Sequence, residues 1–383
     1  MSAVSNDKYD VIVAGGGVIG LAIARELRKN GVRRIAIVES GMIGREASFA
    51  AAGMLAPQAE TDSPDTFFRF CMESNTLFPA FAAELKDETG IDIELDRTGT
   101  LYLAFDKKDE ADAATRLEWQ KAAGLAVERL NPREIKSLEP AVSPNVRSGL
   151  FFPNDGQVEN RLLVAALAAY AKLNDIEVLE NRRIESIILD GRRVVGVGTA
   201  AGKFFADTVV LATGAWTSLI EIGGSGLPIV RPIHGQMICF ATSGVVLRHV
   251  VYGKDVYLVP RADGRILAGA TVEDVGFRKD ITDGAVEVLR AAAYAAVPRL
   301  SAFDVADRWS GLRPCSPDTL PVLGAVAGIE GLHIATAHYR NGILLSPLTA
   351  KLIAAAICRN ARSAYLDEFS ATRFAVVSAS AAF

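Results

Sequence analysis

The chain is poor in the residues that build metal and disulfide sites, with four cysteines and four histidines among 383 positions. Cys71, Cys239, Cys315 and Cys358 show neither metal-ligand spacing nor a Cys-x-x-Cys pair, so they read as reduced thiols, mostly core filler. His234, His249, His333 and His338 form no recognisable triad or metal set, so neither a bound metal nor a histidine-activated nucleophile is expected. An excess of one charge is also missing. With 41 Lys and Arg against 45 Asp and Glu the formal net charge is −4, which argues against a nucleic-acid partner. Long apolar runs are scarce: 162–171 is too short to cross a bilayer, and 343–357 is interrupted by Pro347 and Lys351. Residues 1–10 are short and polar and leave no room for a signal segment, so a soluble cytoplasmic protein is expected.

What is abundant is glycine, with 33 residues, as where backbone must approach a ligand closely. The apolar run Val11-Ile12-Val13-Ala14 reads as a strand buried on both faces, and it ends in Gly15-x-Gly17-x-x-Gly20. A helix is predicted over 18–30, stopped by Gly31, then a strand over 35–38 ending at Glu39. In this βαβ unit Gly15 permits the tight turn, Gly17 admits a pyrophosphate, and Gly20 lets helix and strand pack. Glu39 is placed to accept hydrogen bonds from a ribose diol, which points to a dinucleotide and disfavours a 2′-phosphate.

A length of 383 residues suggests two domains. Residues 59–149 are richer in acidic and aromatic positions, with helices predicted over 66–89 and 109–124. Alternating α/β character then returns, with a helix over 161–173, a strand over 176–179, a hairpin of 184–189 and 194–199 around Asp190-Gly191, and a buried strand over 208–212. Residues 233–309 read as strand-rich with one helix over 286–297; a strand over 332–335 and a helix from about Gly342 to Cys358 follow. The predicted division is a nucleotide domain of 1–58, 150–232 and 310–383, and a second domain of 59–149 and 233–309. Residues 374–383 form a small-residue tail of no readable function.

Four further segments carry chemistry. Val209-Val210-Leu211-Ala212-Thr213-Gly214 is a buried strand ending in Ala-Thr-Gly, similar to the second fingerprint of two-domain flavoproteins. Gly44-Arg45-Glu46-Ala47-Ser48 followed by Phe49-Ala50-Ala51-Ala52-Gly53-Met54-Leu55 is too small in side chain to pack a core well. It suits backbone lying against a flat cofactor, with Arg45 near the pyrophosphate. Arg313, set between Gly311-Leu312 and Pro314, and Arg340, in His338-Tyr339-Arg340-Asn341-Gly342, can each bind a carboxylate through two parallel bonds. A helix starting near Gly342 would turn its positive end toward a reduced flavin.

Together with Asp255-Val256-Tyr257-Leu258-Val259-Pro260-Arg261 and Arg340-Asn341-Gly342-Ile343-Leu344-Leu345, these segments resemble the D-amino-acid oxidase and sarcosine oxidase superfamily of flavoproteins, and within it the glycine oxidases of bacterial thiamine biosynthesis. The resemblance runs from Tyr9 to about Arg359. It implies an α/β fold with a Rossmann-like FAD-binding domain of the GR2 type and an α+β substrate domain on a mainly antiparallel sheet. It implies noncovalent FAD contacted by Val18, Ile19, Glu39, Ser40, Glu46, Ala47, Ala52, Gly53 and Met54. Thr213 and Gly214 would lie near the nucleotide, Ile184 near the adenine, and His338, Tyr339, Arg340, Asn341, Gly342, Ile343 and Leu344 along the flavin. Arg313, Arg340, Tyr257 and Met54 fall at substrate positions, Arg313 and Tyr257 on the carboxylate; Arg340 remains the alternative carboxylate ligand.

The implied reaction passes a hydride from the Cα of glycine or another small amine to flavin N5. Imine hydrolysis then gives the oxo acid and ammonia, and O2 is reduced to H2O2, with no protein acid or base. The resemblance also implies a homo-oligomer. Two departures stand out: Val158-Glu159-Asn160 replaces the family's frequent Val-Asp-Pro, and Cys315 is misplaced for a covalent flavin link. A D-amino-acid oxidase or dehydrogenase, a sarcosine oxidase, and a non-catalytic flavin-binding protein remain alternatives.

Overall fold

The computed structural model describes residues 8–223, 225–227, 229–253 and 255–374, so the tail beyond Phe374 lies outside the described residues. The strand Tyr9–Ala14 lies between parallel neighbours Ile35–Val38 and the second half of Gly202–Leu211. Its alternate residues enter different cores. Val11 and Val13 pack under the helices, while Ile12 and Ala14 pack on the opposite face. That two-sided burial explains the unbroken apolar run. Further parallel strands Glu177–Leu179 and Leu332–Thr336 flank this centre within a ten-stranded sheet.

The strand Gly202–Leu211 begins earlier than the predicted 208. Its first half alternates exposed and half-buried residues and pairs antiparallel with Arg193–Thr199, the second strand of the expected hairpin. One strand thus carries the sheet from a solvated hairpin into the buried parallel core.

Helices cover one face. Val18–Lys29, Thr66–Thr89, Asn160–Leu173 and Gly342–Arg359 share a single core. The long helix has the predicted bounds because its ends are written locally: the Asp65 side chain accepts from Phe68 N at 2.8 Å, and Gly90 ends it at φ +77°. Gly342–Arg359 is long and apolar enough to cross a membrane by composition, but it packs against Val18–Lys29 and Thr66–Thr89 with residues such as Leu345 and Ile353 fully buried.

The second sheet has eight strands and is antiparallel throughout except where Val250–Tyr252 meets Thr100–Ala104. The helix Asp283–Ala296 packs on one face, burying Leu289 and Ala293. The strands Ser148–Phe152 and Val305–Cys315 both belong to this sheet, so the expected boundaries at 150 and 310 cut through strands.

Two expectations follow for stability. A Cβ on Gly20 would sit 2.0 Å from the Gly15 carbonyl oxygen, so Gly20→Ala should destabilise the chain by about 1–3 kcal/mol, read from the urea midpoint. Burial also lowers His333 to about 4 and His338 to about 3, whose Nε2 lies 3.1 Å from Thr349 Oγ1. Both folded-state values lie below the unfolded one, so stability present at neutral pH is lost as pH falls through 6.5 towards 4. The slope is about 1.4 kcal/mol per pH unit for each histidine, and the double variant His333→Gln/His338→Gln should flatten it in urea titrations at pH 7 and 5.

Candidate active site

A long cavity opens at the carboxyl ends of the central parallel strands, where an open α/β sheet offers its crevice. Gly15, at φ +106°, donates its N–H to Val38 O at 2.8 Å; a Cβ there would lie 2.4 Å from Ala212 O. The Glu39 carboxylate is fixed at the mouth of its strand. One oxygen accepts from Gly16 N at 2.8 Å, and the other from Gly41 N at 2.8 Å and Ser40 Oγ at 2.9 Å. The first helix starts at the cavity, and its Val18 N–H meets Ser48 Oγ at 2.9 Å. Thr213 and Gly214 form the opposite lip, backed by Thr217, whose Oγ1 lies 3.0 Å from both Thr213 Oγ1 and Thr336 Oγ1.

The other end of the cavity rests on the second sheet, on a face cleared of side chains. Gly235 and Gly311 are direct cross-strand partners, and Gly269 pairs with Met237 beside them. A Cβ on Gly235 would lie 2.1 Å from Arg313 Nη1, one on Gly269 2.1 Å from Met237 Sδ and 2.7 Å from Tyr257 OH, and one on Gly311 2.5 Å from the Ala50 Cβ. The missing side chains leave lanes for Arg313 and Tyr257 and let the short helix Ala47–Ala50 lie against the sheet.

The charges at this end are uneven. Arg340 Nη2 lies 3.2 Å from Glu60 Oε1 and donates to Tyr252 OH at 3.2 Å. Arg313 Nη1 donates to the carbonyls of Thr271 at 3.1 Å and His234 at 3.4 Å, and among the described residues no carboxylate pairs with it. The Glu60 side chain is 8% exposed. Burial pushes its carboxyl up from the usual range, against the pull of Arg340 and Arg313, while Glu60's charge raises Arg340. Burial likewise pushes Tyr252 up to about 12 and raises Tyr257, so both phenols stay protonated donors at neutral pH. Tyr252 stacks between Tyr102 and Tyr257 at centroid distances of 5.7 and 6.4 Å, and Tyr257 OH rests 3.2 Å from Met237 Sδ.

Nearly all the residues singled out in the sequence converge on this one cavity: Gly15, Gly17, Val18, Ile19, Glu39, Ser40, Glu46, Ala47, Ala52, Gly53, Met54, Ile184, Thr213, Gly214, Tyr257, Arg313, His338, Tyr339, Arg340, Gly342 and Ile343. Four do not line it. Gly20 lies beneath, packed on Gly15; Leu344 is buried in the helical core; Asn341 caps the last long helix. Arg45, expected at the pyrophosphate, is exposed and lies over the Phe49 ring at 5.1 Å. Glu60, Tyr252, Trp216, Arg183 and Met237 were not identified from the sequence; no local motif marks them, and only the tertiary fold brings them to the site.

The arrangement fits an FAD. Side-chain-free backbone and a helix start meet at one end, a fixed carboxylate stands at the second strand, and a wall of small residues from Ala47 to Gly53 runs towards the arginines. A family model described as "FAD dependent oxidoreductase", DAO, matches residues 10–356. The chain is 36% identical to a glycine oxidase of Pseudomonas aeruginosa, over 90% of its own length and 93% of that protein's. It is 35% identical to a bifunctional protein ThiO/ThiG of Trichormus variabilis, covering 95% of this chain and 55% of that one. The crystal structure of glycine oxidase from Geobacillus kaustophilus superposes with a TM-score of 0.90 at 36% identity, covering 96% of this chain and 99% of the other. Sequence, site geometry and fold agree that the chain belongs to the DAO family of FAD-dependent oxidoreductases.

Proposed function

We propose that the protein oxidises the carbon–nitrogen bond of a small amine bearing one carboxylate, glycine foremost, and returns the electrons to O2 as hydrogen peroxide. The observation that carries this is the charge pattern over the cleared sheet: Arg340 is matched by Glu60, while Arg313 bonds backbone carbonyls and neighbours the Tyr257 phenol, with no carboxylate paired to it among the described residues. One net positive charge at this end accepts one carboxylate. A guanidinium can take both carboxylate oxygens, and the protonated Tyr257 adds a donor beside it.

Bound FAD supplies the two-electron acceptor that amine oxidation requires. The chain's own residues do the positioning. Arg313 and Tyr257 hold the carboxylate, so the Cα of a small substrate is fixed at a short, constant distance from the anchor. Met54 and Met237 line the same end of the cavity and limit water around the reacting carbon. His338 is neutral and bound to Thr349, which fits a neighbour of the cofactor and not a base. Glyoxylate and ammonia are then the products from glycine. Supply of an intermediate to thiamine biosynthesis belongs to the same reading, supported by the similarity to the ThiO/ThiG protein. So do a cytoplasmic location, supported by four free thiols, and a homo-oligomeric state, which size-exclusion chromatography tests.

Purified protein assayed for peroxide with glycine, sarcosine, D-alanine and D-proline should respond most strongly to glycine. Anaerobic glycine should bleach the flavin, and an unbleached flavin would leave a non-catalytic flavoprotein. Arg313→Ala should lower kcat/KM for glycine by about 2–5 kcal/mol, more than Arg340→Ala does. The reverse order would make Arg340 the carboxylate ligand. Glu60→Gln should leave Arg340 unmatched and raise the relative kcat/KM for a diacid amine such as iminodiacetate by ~10-fold or more.

A further inference from the structure

Between the second sheet and the small-residue wall of the cavity lies a buried polar junction that neither the flavin contacts nor the substrate contacts account for. At its centre is Arg261, whose side chain is only 2% exposed. It stands at the tip of the hairpin that follows Tyr257–Pro260, with its N–H bonded to Arg265 O at 2.8 Å. Its guanidinium donates to Gln157 Oε1 and Val158 O at 2.8 Å each, to Ala52 O at 2.8 Å, and to Asn160 Oδ1 at 3.0 Å. Glu159 Oε2 lies 3.3 Å from Nε and supplies the counter-charge.

Asn160 extends this connection. Its Nδ2 donates to Ser48 O at 2.8 Å and Phe49 O at 3.2 Å, at the short helix Ala47–Ala50. That helix is a single turn, half-buried between the second sheet and the helix Asn160–Leu173, and these bonds fix its backbone there. Gly53 is pressed in as well, since a Cβ there would sit 2.1 Å from Val158 O. The carbonyls of Ser48, Phe49 and Ala52 are thus all tied to one amide and one guanidinium. Ser48, Ala52 and Gly53 themselves line the cavity.

We propose that Asn160 and Arg261 are positioning residues: a buried strut that sets the Ser48–Gly53 wall against the bound flavin and ties it to the strand carrying Tyr257. Neither side chain lines the cavity, so the effect passes through the backbone they hold. Charge-assisted bonds to buried carbonyls are strong, and removing one donor leaves the carbonyls unpaired. Asn160→Ala removes the bonds to Ser48 and Phe49 while Arg261 keeps Glu159. Arg261→Lys keeps the charge and removes the fork.

The inference rests on FAD lying in this cavity, and the experiment separates the two. Apoprotein of wild type, Asn160→Ala, Arg261→Lys and Glu39→Ala is titrated with FAD, the visible circular dichroism of the bound flavin is recorded, and thermal midpoints are taken with and without FAD. Both strut variants should weaken FAD binding by ~10-fold or more and alter the flavin dichroism, with a smaller change in the apoprotein midpoint. Thermal midpoints that fall alike with and without FAD, at unchanged FAD affinity and dichroism, would make the junction merely structural and overturn the proposal. Affinity insensitive to Glu39→Ala would instead sink the placement of FAD. If Arg261→Lys fails to fold, Asn160→Ala carries the test alone.

Discussion

The site depends first on a contact that only bare backbone can make. Gly20 lies so close to the Gly15 carbonyl, and Gly15 so close to the Ala212 carbonyl, that side chains there would overlap the neighbouring chain. With those positions empty, the first helix packs directly onto the central strand and starts at the carboxyl ends of the parallel strands. Everything at the nucleotide end is arranged around that convergence. Glu39 is held by backbone amides from Gly16 and Gly41, and Thr213 and Gly214 form the facing lip.

The same device recurs at the other end in a different kind of sheet. Gly235, Gly269 and Gly311 clear one face of three adjacent antiparallel strands, and the vacated space is taken by Arg313, Met237, Tyr257 and the small helix Ala47–Ala50. A close-packed interior normally excludes such gaps. Here they hold Arg313 and Tyr257, with one carboxylate, Glu60, shared unevenly between the two arginines. Glu60 pairs with Arg340, whereas among the described residues no carboxylate pairs with Arg313, and it is this difference on which the proposed substrate binding rests.

The βαβ unit, the long helix 66–89 and the hairpin around Asp190-Gly191 were all legible in the residues because their signals are short-range: glycine spacing, an Asp65 cap, a Gly90 stop, a two-residue turn. The strand predicted from 208 in fact starts at Gly202, since its first half faces solvent and pairs with a solvated hairpin. Arg45, expected near the pyrophosphate, is exposed and rests over the Phe49 ring rather than lining the cavity, a placement no local pattern signals. Asn160 stands where the family frequently has proline. It forms a bonded junction with Arg261, and nothing local to either residue announces it.

By itself, then, the sequence determined the glycine-turned βαβ unit and the family, and it singled out two arginines and a tyrosine, because each lies in contiguous residues whose spacing carries its own physical meaning. Only the tertiary structure decided how those arginines differ. Glu60 and Arg340 are 280 positions apart, Asn160 and Arg261 101 apart, and the paired Gly235 and Gly311 lie on separate strands. Charge compensation and close approach depend on distances of a few ångströms in space, which sequence separations of this size do not encode.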